Sequence, residues 1–296
     1  MAQPHADSSL LTPAVLEKLG RLEIIAQTVV EGHLTGRHRS PYQGSAIEFA
    51  QHREYVPGDD IRHLDWKVYA RRDRYTIKQF EVETNLNTML VVDGSQSMRA
   101  GEVSKYFTAC CAAASLGFLL LRQQDAVGAT VFDSELREVI PTRSHQANFR
   151  EMLRVLESAK PEKKTDIGKV LRDVGARLTR RGLVAVFSDC FDDLDKLNAG
   201  LGNLRHNGHQ VVLFHTLAAE ELEFPYRGMT RFVGLEDTGQ LLADPRSLRK
   251  AYLAAMEEFC VATRRACNAA GADYARITTK DPIDSVLAMW QARGGR

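Results

Sequence analysis

From Asn87 onward the chain alternates short apolar runs with longer amphipathic ones, and that rhythm leaves few folds open. Thr88–Val92, Gly128–Phe132, Leu183–Phe187, Gln210–His215 and Tyr274–Thr278 are rich in β-branched and aromatic residues and read as strands. Their nearly unbroken apolar character is that of strands buried on both faces. Between them, helical spacing predicts helices over 104–123, 146–158, 166–180, 192–206 and 246–270, with a last one near 282–292. Such alternation means a mainly parallel sheet with helices on both faces. Leu136–Ile140 and Arg231–Leu235 read as short edge strands.

The amino-terminal part has a different texture. Pro13 followed by Val15, Leu16, Leu19, Leu22, Ile25 and Val29 predicts a helix over 10–32. Residues 33–86 mix short aromatic and β-branched pieces with turn signals such as Tyr42-Gln43-Gly44 and Pro57-Gly58-Asp59-Asp60, and 75–83 alternates like a half-buried strand. Three parts are therefore expected: a helical segment over 1–32, a β-rich module over 33–86 and an α/β domain over 87–296.

Charge narrows the function. The chain carries 39 Lys and Arg against 38 Asp and Glu, a net charge of +1, which argues against a protein that coats nucleic acid or anionic lipid. Within 36–78 the signs are interleaved, which suits internal ion pairs better than a phosphate track, and Trp66 reads as a packing anchor. The amino terminus lacks the basic start and apolar core of a secretory signal. The most apolar stretch, Tyr106–Leu121, is shorter than the roughly 20 residues that span a bilayer. Five cysteines without metal-type spacing, two adjacent and two about 10 Å apart along one helix, read as reduced thiols in a cytoplasmic protein.

One stretch, "VVDGSQSM" at 91–98, ends a buried-looking strand in Asp93, Ser95 and Ser97. In an open parallel sheet, ligands gather beyond the carboxyl ends of the strands where strand order reverses. The strand 183–187 also runs out into an aspartate, Asp189, and Thr165 stands before the helix at 166. These five oxygens from three loops suit Mg²⁺, Mn²⁺ or Ca²⁺ rather than zinc or copper. With only two aspartates the ion is weakly held and open to one more carboxylate from outside. Each residue has a plainer reading as well. Thr165 suits a helix N-cap, Asp189 can open the helix at 192, and 93–97 can be a turn. Asp-x-Ser-x-Ser alone occurs by chance in about a tenth of chains this long, so the coincidence of all five carries the weight.

The pieces DGSQSM, TDIG and FSDCFDD resemble the metal-ion-dependent adhesion site of von Willebrand factor A domains. That resemblance implies Asp93, Ser95, Ser97, Thr165 and Asp189 as ligands, directly or through water. The longer stretch "GRHRSPYQGSAIEFAQHREYVPGDDIRHLDWKVYARRDRYTIKQFEVE" (36–83) closely resembles the domain-of-unknown-function family fifty-eight, as do "FPYRGMTRFVGLED" and "DPRSLRKAY". Members are bacterial and archaeal and are usually encoded beside MoxR-type AAA+ ATPases. The resemblance implies an α/β, von Willebrand A-like (Rossmann-like) domain and a non-enzymatic adaptor or co-chaperone. It would work with such an ATPase on an unknown client protein that supplies an acidic contact. Two alternatives stand beside it: a metal-dependent hydrolase using Asp59, Asp60, His63 and Asp65, and a nucleic-acid-binding protein. No G-x-S-x-G, P-loop or H-E-x-x-H pattern supports catalysis.

Overall fold

The computed structural model describes residues 22–35, 45–54, 68–69, 75–83, 86–234 and 239–292. Trp66 and the quartet Asp59, Asp60, His63 and Asp65 lie outside the described residues, as does the first part of the helix expected over 10–32. The chain divides into two compact units. One spans Arg39–Leu86; the other takes in the helix α1 (Leu22–Thr35) and everything from Asn87 on. In the smaller unit, β1 (Ser45–Glu54) and β2 (Thr76–Glu83) pair antiparallel, with register shifts at Ser45/Ile47 and Phe49/Gln51. The rings of Tyr69 and Tyr75 stack beside them at 4.6 Å.

The larger unit is built on six strands: β3 (Asn87–Asp93), β4 (Ala126–Phe132), β5 (Leu136–Arg143), β6 (Leu183–Ser188), β7 (Gln210–Leu217) and β10 (Asp273–Thr278). They lie in the order β10-β7-β6-β3-β4-β5, all parallel except the β4–β5 pair. Counted from β3, this is the doubly wound order 3-2-1-4-5-6. The chain leaves β3 toward β4 on one side and returns to β6 on the other, so the order reverses between β3 and β6. Their carboxyl ends open the crevice where such sheets bind ligands.

Helices cover both faces. On one lie α2 (Lys105–Arg122), α3 (Gln146–Ser158) and α8 (Asp284–Ala292), with α1 packed over α2 and α8. This outer layer explains the apolar sequence of α2: it is buried by the sheet beneath and by α1 above, so the run forecast to be a core helix has no solvent side. The other face carries α4 (Ile167–Arg177), α5 (Leu194–His206) and α7 (Pro245–Ala269). There Val91, Val184, Val186 and Leu213 pack against Val170, Leu171, Leu197 and Leu201. Among the described residues no helix is long and apolar enough to cross a membrane. All five cysteines are free and buried.

One expectation needs correcting. The strand read at Arg231–Leu235 is β8 (Thr230–Val233), and it does not extend the main sheet. It pairs with β9 (Gln240–Ala243) in a separate ribbon closed by Gly234 N–H to Gly239 O at 2.9 Å. The reason is positional: β10 and β5 hold the two edges of the sheet. A five-residue helix, α6 (Ala219–Glu223), precedes the ribbon and had no clear sequence cue.

Candidate metal centre

The parallel register places the end of β3 beside the end of β6: Val92 pairs with Phe187, so Asp93 faces Ser188. Ser188 donates its hydroxyl to Asp93 Oδ2 at 2.6 Å, and Ser95 N–H donates to Asp93 Oδ1 at 2.8 Å. After Asp93 the chain turns at once. Gly94 runs against β4, giving its N–H to Phe132 O at 2.7 Å, and a Cβ there would sit 2.7 Å from Val131 Cγ1. The turn then enters a short 3-10 helix, Gln96–Arg99, which brings the Ser95 and Ser97 hydroxyls to 3.0 Å of each other. Asp93 and Ser95 are fully buried, as is Asp189 on the neighbouring loop.

The loop carrying Thr165 is tied to both others. Gln96 N–H donates to Lys163 O at 2.8 Å, and Ile167 N–H donates to Asp192 Oδ2 at 3.0 Å. The plainer roles fall to neighbours. Asp166, not Thr165, caps α4 by accepting from Lys169 N, and Asp193, not Asp189, caps α5 by accepting from Asp195 N and Lys196 N. That leaves Thr165 Oγ1 buried with no hydrogen-bond partner. Such an orphan costs about 1–3 kcal/mol of desolvation, and an oxygen acceptor in that state is suited to a cation.

The electrostatics point the same way. Burial first, and the charge of Asp189 second, push the Asp93 carboxyl from 3.8 up to about 7, against the pull of its bonds from Ser188 and Ser95. Asp189 is answered by the buried ammonium of Lys105 at 2.7 Å, whereas Asp93 forms no ion pair among the described residues. Among the described residues no three or more His, Cys, Asp or Glu side chains gather into a metal-type cluster. The five residues expected from the sequence offer two carboxylates and three hydroxyls, a hard-oxygen set of the kind Mg²⁺ accepts and zinc does not favour.

Four neighbours escaped the sequence reading. Ser188 binds Asp93 and also accepts from Cys190 N–H at 2.9 Å, and Cys190 then turns the chain in the left-handed region (φ 56°). Lys105, the first residue of α2, is fully buried and sits 2.7 Å from both Asp189 Oδ2 and Glu221 Oε1. Burial opposes its charge, but Asp189 and Glu221 more than offset that and hold the ammonium above the ordinary lysine range. His215 is kept neutral by burial, its pKa lowered to about 4. Its Nε2–H then donates to Asp189 O at 3.0 Å, while Nδ1 accepts from the Tyr274 hydroxyl at 2.9 Å. One cue to Lys105 lay in the sequence: a cation at the positive end of a helix is disfavoured unless something else holds it.

Residues 51–259 match the profile of the family described as Protein of unknown function DUF58. The chain belongs to this family. Within curated proteins, this DUF58 member is 27% identical over 224 residues to an uncharacterized protein of Mycobacterium bovis, covering 72% of this chain and 68% of the relative. Among solved structures, the conserved hypothetical protein BatB from Bacteroides thetaiotaomicron is similar with a TM-score of 0.49 at 16% identity, over 70% of this chain and 98% of that one. A von Willebrand factor type A protein from Catenulispora acidiphila is similar with a TM-score of 0.42 at 10% identity, over 70% of this chain and 42% of that one. The von Willebrand A-like α/β fold of the DUF58 chain follows from its own strand order and helix layers.

Proposed function

We propose that this DUF58 protein is a non-enzymatic protein-binding module whose rim takes a weakly held divalent cation, Mg²⁺ or else Mn²⁺ or Ca²⁺. Asp93, Ser95, Ser97 and Thr165 would hold the ion, with Asp189 contributing from the next loop. The observation that supports the reading is the fully buried Asp93, which forms no ion pair among the described residues, with the partnerless Thr165 Oγ1 on a loop hydrogen-bonded to its own. When bound, the ion supplies a Lewis-acidic position that a partner's carboxylate can complete.

The chain's own part is to bind and orient. Ser95 N–H and the Ser188 hydroxyl fix both oxygens of Asp93, so the carboxylate cannot rotate away from the rim. The 3-10 turn keeps the Ser95 and Ser97 hydroxyls together, and the sheet beneath excludes water from the base of the site. Under this reading the protein acts as an adaptor or co-chaperone for a MoxR-type AAA+ ATPase, and the acidic contact comes from the ATPase or its client.

Affinity purification from the native cell tests this, with wild type against Asp93→Ala and Thr165→Ala, in Mg²⁺ and then in EDTA. Losing one side of a buried charged contact costs about 2–5 kcal/mol of binding, enough to dissolve a micromolar complex. The ATPase is expected to co-purify with wild type in Mg²⁺ alone. A complex that survives both substitutions and chelation rejects docking through the ion. Phosphoester hydrolysis by wild type that disappears with Asp93→Ala establishes a hydrolase instead.

A further inference from the structure

Lys105 does not belong to the oxygen set, yet the rim is arranged around it. It opens α2, where the helix dipole is positive and a cation gains nothing from the backbone. It is fully buried, and a buried ammonium persists only when it is paired. Three groups meet it: Asp189 Oδ2 at 2.7 Å, Glu221 Oε1 at 2.7 Å and the face of the Phe191 ring at 4.6 Å. Phe191 is itself fixed by stacking on Phe259 of α7 at 5.0 Å. The other Asp189 oxygen accepts from Phe191 N–H at 3.2 Å, so both oxygens of that carboxylate are already engaged.

The charges around this point can be summed. With Asp93 ionised, Asp93, Asp189 and Glu221 bring three negative charges against the single positive charge of Lys105, which is paired with the last two. Without the ammonium, a divalent ion would face a more negative pocket and an Asp189 oxygen released from its ion pair. With it, Asp189 is held on the lysine side of the rim. Coulomb's law then fixes the direction: a unit positive charge beyond the shared carboxylate weakens the hold on a dication.

We infer that Lys105 sets the affinity of the rim: its ammonium occupies Asp189, keeps the ion weakly bound and leaves it electrophilic toward a partner's carboxylate. Glu221, on α6, tunes this by sharing the ammonium's charge. The inference rests on the metal reading above and assigns two residues beyond the five-oxygen set, one at the head of α2 and one on the segment leading into the β8–β9 ribbon. A residue that merely packs would weaken the ion when replaced. Lys105 strengthens it when removed.

The test is a Mn²⁺ titration at one pH and one ionic strength, reading free Mn²⁺ by electron paramagnetic resonance, with thermal unfolding run beside it to confirm the fold. Lys105→Met keeps the length and apolar stem of the side chain and is expected to bind Mn²⁺ about tenfold more tightly or better. Glu221→Gln leaves the ammonium's charge undivided on Asp189 and is expected to bind several-fold more weakly. Equal or weaker binding by a folded Lys105→Met protein overturns the inference while leaving the metal reading intact. If that variant does not fold, Glu221→Gln decides alone, and wild-type affinity there overturns it. Binding by Lys105→Met where wild type binds none supports the inference, and no binding by any of the three rejects the metal reading and this inference with it.

Discussion

Asp93→Asn isolates the electrostatic cost built into the rim. In wild type without metal, the folded-state pKa of Asp93 is raised to about 7 from the 3.8 of an ordinary aspartate. Because the folded value is raised, the folded protein holds its proton where the unfolded chain has released it. The resulting stability is fully present below the unfolded value and is lost as pH rises through about 7. A shift of about 3 units corresponds to about 4 kcal/mol, of which about 3 kcal/mol falls between pH ~4.5 and pH ~8.5. Asparagine keeps an oxygen for Ser95 N–H and carries no charge to desolvate. Its hydrogen bond with Ser188 must reorganise, at a cost of about 1 kcal/mol that does not vary with pH. Urea unfolding in EDTA, followed by circular dichroism at several pH values, compares the two proteins. The stability of the Asp93→Asn variant relative to wild type should climb by about 3 kcal/mol across that interval. Added Mg²⁺ should then stabilise wild type at high pH and leave the variant unmoved. A stability difference that stays flat with pH refutes the buried, charge-starved description of Asp93.

The remaining predictions concern the other oxygens and the proton. Thr165→Val removes the partnerless hydroxyl at nearly constant shape, so metal-free stability should hold or rise by about 1 kcal/mol while Mn²⁺ affinity falls; lower metal-free stability would mean the hydroxyl has a partner. Metal binding must displace the Asp93 proton, so calorimetric affinity for Mn²⁺ should rise about tenfold per pH unit below pH ~7 and level off above it. An affinity that does not change between pH ~5.5 and pH ~7 contradicts that linkage.

Some of this was legible in the sequence for a physical reason. Strands buried on both faces must be apolar throughout, so β3, β4, β6 and β7 announced themselves within two residues of their ends, while the edge strand β10 did so despite its exposed Asp273 and Arg276. Four of the helices between them began where an aspartate or serine caps: Ser104, Asp166, Asp193 and Asp244. The five oxygens were readable because parallel strands deliver their loops to one rim. The counter-charge was not. Lys105 meets Asp189 and Glu221 across 84 and 116 residues of chain, and no local pattern encodes a contact at that range. Ser188, although adjacent to Asp189, was hidden for another reason. At the end of an apolar strand a serine reads as the edge of a loop, and only the β3–β6 register turns it toward Asp93. β9 was missed for a different reason, because Gln240, Leu241 and Leu242 are all exposed and so carry no inside-outside alternation.

The account stands or falls on whether the rim between β3 and β6 takes a divalent ion. Manganese titration of wild type and Asp93→Ala, read by electron paramagnetic resonance of free Mn²⁺ above pH ~7 where Asp93 is ionised, addresses it without any partner. One weak site in wild type that vanishes in Asp93→Ala, with both proteins folded, is the predicted result. Identical binding by the two proteins, or none by wild type and by Lys105→Met alike, would contradict it.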